Sequence, residues 1–267
     1  MNLKTEEARK YIRKQKTNKM KILVAQLLIL FGFLTVWELL SSKNIINSFL
    51  FSSPSSIFKL LKLYIETGEL FNHIYISIYE TILGLIIGTS IGIIIAILLW
   101  WSKTLAKIMD PFLVVLNALP KTALAPIFII WAGTGVKGIV VVAVSISLIL
   151  TILSAYNYFK NIDEEKVKML KSFGASKWQI LTKLVLPSNV VNLVDITKIN
   201  IGMSWVGVIM GEFIVSRAGI GYLIVYGSQI FKLDLVMLGV FVLAIIAYVM
   251  YQIVNLIEKS LKNKISK

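Results

Sequence analysis

The chain has 267 residues, of which 57% are hydrophobic and 16% charged, with a mean hydropathy of +0.80. Soluble domains carry about 25% charged residues, so these values exclude an ordinary soluble domain and a disordered chain. The net charge of +14 comes from 28 basic and 14 acidic residues, while zero cysteines and a single histidine, His73, exclude disulfides, thiolate metal sites and most histidine-based catalysis.

Residues 1–21 form a basic, polar N-terminal segment, too long and too charged for the start of a secretory leader. Residues 22–42 read as a retained first transmembrane helix, apolar apart from Gln26 and Glu38. Residues 43–73 are an external amphipathic segment. In it Ser53 as N-cap and Pro54 at the first helical position open a helix with Ile57, Leu60, Leu61, Tyr64 and Ile65 on one face. That helix either lies on the outer surface or packs across the tops of the spans.

A membrane-embedded core is expected over residues 74–260, with a loop of its own at 161–188, followed by a tail at 261–267. Residues 81–102, 138–159 and 235–257 are uncharged runs long enough to cross a bilayer. In the first of these Gly84, Gly88 and Gly92 share one face, which lets a neighbouring helix approach closely, as a static seam or a sliding one. Two weaker spans complete a count of six. Residues 109–133 hold Pro111, Pro120 and Pro126 and are expected to be one kinked helix, with Asn117 and Lys121 as candidates to line a pathway. Residues 189–213 hold Asp195, Lys198 and Glu212, with Gly207 and Gly211 on a packing face. Asp195 and Lys198 are placed to pair with each other, or to act as a gate that opens when they separate.

With the N-terminus inside, the segments on that side carry 20 lysines and arginines against 6 on the other. This bias predicts an all-α membrane protein with both termini cytoplasmic. It accounts for most of the charge without nucleic acid.

The loop at 161–188 has too much helical pattern for an idle connection. Asp163 is an N-cap followed by Glu164 and Glu165, where the helix dipole favours acids. Val167 and Leu170 supply an apolar stripe, and Gly174 is a stop. Ser176 with Gln179 forms a capping box for a second helix, which Pro187 is expected to end before the fifth span. Such a helix pair has the form of a docking element, or of an interfacial helix on lipid headgroups.

This loop resembles the cytoplasmic coupling loop of binding-protein-dependent ABC importer permeases. Nine residues separate Gly174 from Leu184-Val185-Leu186-Pro187, matching that family's Gly, nine residues, Ile-x-Leu-Pro; Lys168-Met169-Leu170 stand where the family has Glu-Ala-Ala. Phe51-Ser52-Ser53-Pro54-Ser55, Asp110-Pro111, Leu119-Pro120, Ala125-Pro126, Trp131-Ala132-Gly133-Thr134-Gly135, Ser204-Trp205 with Glu212, and Gly219-Ile220-Gly221-Tyr222-Leu223-Ile224 are similar to the nitrate, sulfonate and taurine subfamily.

The resemblance implies a type I ABC importer, MetI-like permease fold and a transport subunit without its own ATPase site. Its implied partners are two copies of an ABC ATPase subunit that uses ATP and magnesium, an extracytoplasmic substrate-binding protein and a second permease copy, with no cofactor on this chain. The coupling residues it implies are Glu164, Val167, Lys168, Met169, Leu170, Phe173, Gly174, Ala175 and Pro187. Candidate pathway or gate residues are Asn117, Lys121, Asp195, Lys198, Ser204, Trp205 and Glu212. The implied cargo is a small solute such as nitrate, a sulfonate, taurine or a vitamin precursor, moved by alternating access. No Gly-x-x-x-x-Gly-Lys-Ser/Thr phosphate loop occurs, so the ATPase is expected on a separate chain. The competing reading is an ion-gradient-driven secondary transporter or a channel.

Overall fold

A computed structural model describes residues 6–265; the first five residues of the basic segment and the last two of the tail lie outside the described residues. All regular structure among the described residues is helical. In chain order the helices are α1 (Glu6–Ser42), α2 (Ser48–Phe51), α3 (Pro54–Glu66), α4 (Glu69–Trp101), α5 (Lys103–Ala118), α6 (Ala125–Ala132), α7 (Val136–Lys160), α8 (Glu164–Ser172), α9 (Lys177–Ile180), α10 (Leu186–Val215), α11 (Ile220–Gln229) and α12 (Leu233–Ile265).

Among the described residues five stretches are long and apolar enough to cross a membrane: Arg13–Ser42, Glu69–Trp101, Val136–Lys160, Lys177–Val215 and Leu233–Lys262. The expected sixth, at 109–133, is not one kinked helix. It is broken into α5 and α6, each too short to cross alone. The physical cause is the proline spacing. Pro120 forces Leu119 into an extended conformation (ψ 136°), which ends α5, and Pro126 restarts the chain in the first turn of α6. Pro111 is accommodated inside α5. From Glu6 onward the basic segment is helix, continuous with the first span.

The centre of the bundle is α7, sandwiched between α4 and α10. The glycine stripe of α4 meets small residues of α7 in register: a Cβ at Gly84 would lie 2.7 Å from Ala143 Cβ, and one at Gly92 2.6 Å from Thr151. On the other flank Gly207 and Gly211 of α10 face Ala143 and Ile139. The pairings make α4 and α7 parallel and α10 antiparallel to both. Where the three helices meet, the buried Asn200 side chain donates to Thr89 Oγ1 (2.8 Å) and Thr151 Oγ1 (2.7 Å). Such bonds stabilise a helix seam that has no water to turn to.

The two ends of the bundle differ. At one, α3 packs across α4 and α12, with Ile57 and Leu60 buried beside Leu70, Leu235 and Leu238. Ser53 caps α3 by accepting from the Ser56 N–H at 3.2 Å. The other end carries α8 and α9, seated on Phe159, Leu181 and Ala96.

Candidate functional site

The α8–α9 unit is built from local rules. Asp163 Oδ1 accepts from the Glu165 N–H at 2.9 Å and starts α8. The helix ends in a Schellman turn: the Gly174 N–H donates to the Lys171 carbonyl (2.9 Å) and the Ala175 N–H to the Leu170 carbonyl (3.0 Å), with Gly174 at φ +77°. The capping box at Ser176 is complete. Ser176 Oγ accepts from the Gln179 N–H (3.3 Å), and Gln179 Oε1 accepts from the Ser176 N–H (2.7 Å).

Packing divides the nine residues expected at the coupling surface. Val167, Leu170 and Ala175 turn inward onto Phe159, Ile180 and Leu181 and hold α8 to the bundle. Met169 and Phe173 project outward, 53% and 80% exposed. Glu164 and Lys168 are also exposed and pair loosely at 4.0 Å. A two-turn helix seated through one stripe leaves the opposite stripe free.

Pro187 does not end the second helix, contrary to expectation. The chain runs without interruption from α9 through a π-helical turn (Leu181–Val185) into α10, with Pro187 in the first turn of α10. In that turn the Leu186 N–H bonds the Leu181 carbonyl, five residues back. The widened turn accommodates the ring and missing donor of the proline. α9 and the fifth span are therefore one continuous rod, to which α8 is joined by the turn at Gly174.

The expected pathway residues fall into separate places. Asn117 and Lys121 sit together at the break between α5 and α6, where Lys121 Nζ donates to the Asn117 carbonyl at 3.0 Å. Lys198 does pair with Asp195 (2.7 Å), and it also pairs with Glu258 of α12, which in turn holds Lys262. The cluster thus ties α10 to α12. Ser204 and Trp205 are buried in the bundle, with no hydrogen-bond partner at Ser204 Oγ or Trp205 Nε1.

Glu212 is also buried, 1% exposed, and is shielded from any external partner. Its carboxylate accepts from Ser77 Oγ and from the Gly221 N–H, both at 2.5 Å. Ser77 Oγ accepts from the Ile220 N–H (2.7 Å), and His73 Nδ1 from the Gly219 N–H (3.0 Å). The Gly219-Ile220-Gly221 turn is clasped between α4 and α10, and glycines are required because a Cβ at 219 or 221 would collide with the Glu212 side chain. Glu212→Ala is expected to lower stability by about 3 kcal/mol by orphaning two buried donors. Glu212→Gln should cost about half as much; equal melting temperatures for wild type and Glu212→Ala would refute the clasp.

The sequence reading missed Ser77, Glu80 and Glu258. Glu80 lies beside Glu212 at 1% exposure, with Oε2 unpartnered. The signal was present: Glu80 and Glu258 each stand directly beside the uncharged runs that define spans. Among the described residues no three acidic or histidine side chains converge as a metal would require.

The model for binding-protein-dependent transport system inner membrane components matches residues 88–267, a span that includes α7, the α8–α9 unit, the π turn and Glu212 with its Gly219-Ile220-Gly221 turn. The chain belongs to that family. Among relatives, the putative aliphatic sulfonates transport permease protein SsuC of Bacillus subtilis (strain 168) is 26% identical over 85% of this chain and 83% of its own length. The taurine transport system permease protein TauC of Escherichia coli (strain K12) is 24% identical over 81% of each chain. In fold, the permease resembles a chain of the inward-facing MetNI methionine ABC transporter, with a TM-score of 0.65 at 17% identity over 73% of this chain and 96% of that one. The permease is therefore a membrane component of an ABC importer, with the MetI-like fold.

Proposed function

We propose that this permease forms half of the translocation pathway of an ATP-driven importer for a small solute of the sulfonate or taurine class. The observation that carries the reading is the outward stripe of α8, where Met169 and Phe173 stand exposed on a helix joined through the Gly174 turn to the continuous rod of α9 and α10. An apolar knob on a firm base suits insertion into a groove of an ATPase subunit. Two ATPase subunits using ATP and magnesium would then draw two such helices together, and the rigid spans would switch the cavity between its two openings, provided ATP and loaded binding protein favour one state.

The charge bias supports placing α8 and both termini in the cytosol and α3 with α11 outside, where a substrate-binding protein delivers the solute. Val114, Val115, Ile130 and Trp131 are exposed on the broken span, whose unpaired backbone needs protein cover within a bilayer, which supports a second copy of this chain as the other half. Lys121 at the break between α5 and α6 favours an anionic solute. The sulfonate assignment leans on the relatives named above.

Phe173→Asp tests the reading. Placing a charge at the tip of the apolar stripe is expected to weaken retention of the co-expressed ATPase on the affinity-tagged permease roughly thirtyfold, the scale of a lost interface anchor. Membrane insertion should be unchanged. Undiminished ATPase retention would remove α8 from the contact.

A further inference from the structure

Beside α8, and facing away from its outward stripe, two adjoining cavities of about 420 and 470 Å³ open between the α4–α5 junction, the end of α7 and the α8–α9 unit. Both share Trp100, Lys103, Lys160 and Glu164 as wall residues. Lys107 lines one and Lys168, Lys171 and Lys177 line the other. Six lysines thus surround a cleft whose only acidic wall residue is Glu164, already engaged by Lys168. Among the described residues Lys103, Lys107, Lys160 and Lys171 form no ion pair. Like charges brought together in this way repel unless an anion sits among them.

We propose that this cleft binds the phosphate of an anionic phospholipid headgroup. Three observations select a lipid. The cleft opens where α4, a spanning helix, ends in Trp100 and Trp101, and paired tryptophans mark the level of headgroups. Trp178 packs on Trp101, and Lys177 Nζ lies 5.8 and 5.3 Å from the rings of Trp100 and Trp101 while bonding the Trp101 carbonyl, which builds a fixed aromatic and cationic wall. One cavity continues onto Leu99 and Tyr156, an apolar floor on the membrane side suited to the first carbons of an acyl chain. Basic pockets between spanning helices recognise phosphate headgroups by this combination. Because α8 forms one wall, an occupied cleft braces the α8–α9 unit against the bundle. The inference rests on the membrane placement of the family and not on the ATPase contact.

The test is native mass spectrometry of the purified full chain in detergent, with equimolar phosphatidylglycerol and phosphatidylcholine. The wild type is expected to retain phosphatidylglycerol about thirtyfold in preference, the scale of two lysine–headgroup attractions. Lys103→Glu with Lys160→Glu should bring the ratio close to one. Lys103→Gln with Lys160→Gln, a milder pair that guards against misfolding, should fall between. Lys59→Glu with Lys62→Glu, on α3 at the opposite end, should leave the preference intact. An unchanged preference in both cleft variants overturns the proposal. So does displacement of the lipid by excess inorganic phosphate, which would assign the cleft to a soluble anion, and so does loss of ATPase retention without loss of lipid, which would assign the lysines to the protein partner.

Discussion

Gly174→Pro is expected to reduce ATP-driven uptake in reconstituted vesicles to the level of vesicles without the permease, while the protein still inserts and folds. Gly174 sits at φ +77°, which the proline ring at about −65° cannot reach. Proline also deletes the N–H that bonds the Lys171 carbonyl, and a changed turn loses the Ala175 to Leu170 bond as well. The Schellman turn then fails, and Phe173 no longer points where Met169 points. Insertion is spared because α8 lies outside the five spanning stretches and nothing stands within 4 Å of the Cβ position at Gly174. Gly174→Ala separates backbone from bulk: it fits the space and strains the left-handed conformation by about 1 kcal/mol, so most uptake should remain. Full uptake by Gly174→Pro would sink the coupling role of this turn.

Gly207→Leu is expected to destabilise the permease by about 3 kcal/mol, read as a fall in melting temperature of the detergent-solubilised protein. A Cβ at 207 would lie 2.9 Å from Ala143 N and closer still to Ala143 Cα. Those are backbone atoms of α7, the helix at the centre of the bundle, and they have no rotamer by which to yield. Gly202 on the same helix supplies the control, because nothing stands within 4 Å of its Cβ position. Gly202→Leu should be neutral or slightly stabilising, since leucine is the better helix former by about 0.8 kcal/mol. Equal melting temperatures for the two variants would mean that α7 and α10 do not meet as tightly as the glycine positions imply.

The sequence made the periodic and the local features legible. Apolar runs marked the spans at 81–102, 138–159 and 235–257, and the glycines spaced by four marked the faces on which α4 and α10 meet α7. Caps and stops around Asp163, Gly174 and Ser176 were readable because their bonds close within a few residues. Proline was harder to read. Whether Pro120 kinks a helix or breaks it, and whether Pro187 stops a helix or rides in a π turn, depends on what the neighbouring backbone can do with the freed carbonyls.

Composition, charge asymmetry and span length by themselves determined that this is a helical membrane protein. Those properties follow from the cost of placing backbone and charge in hydrocarbon, which does not depend on tertiary detail. Only the tertiary structure decided which side chains meet. Residues 77, 212 and 221 form one clasp, and residues 195, 198 and 258 one ion cluster, because helix packing brings distant positions within 3 Å of each other. The same packing turned Val167 and Leu170 inward and left Phe173 free, and it gathered lysines from three separate segments of the +14 chain around a single cleft. A periodicity places a residue on a face of its helix; only the neighbouring helices decide what that face meets.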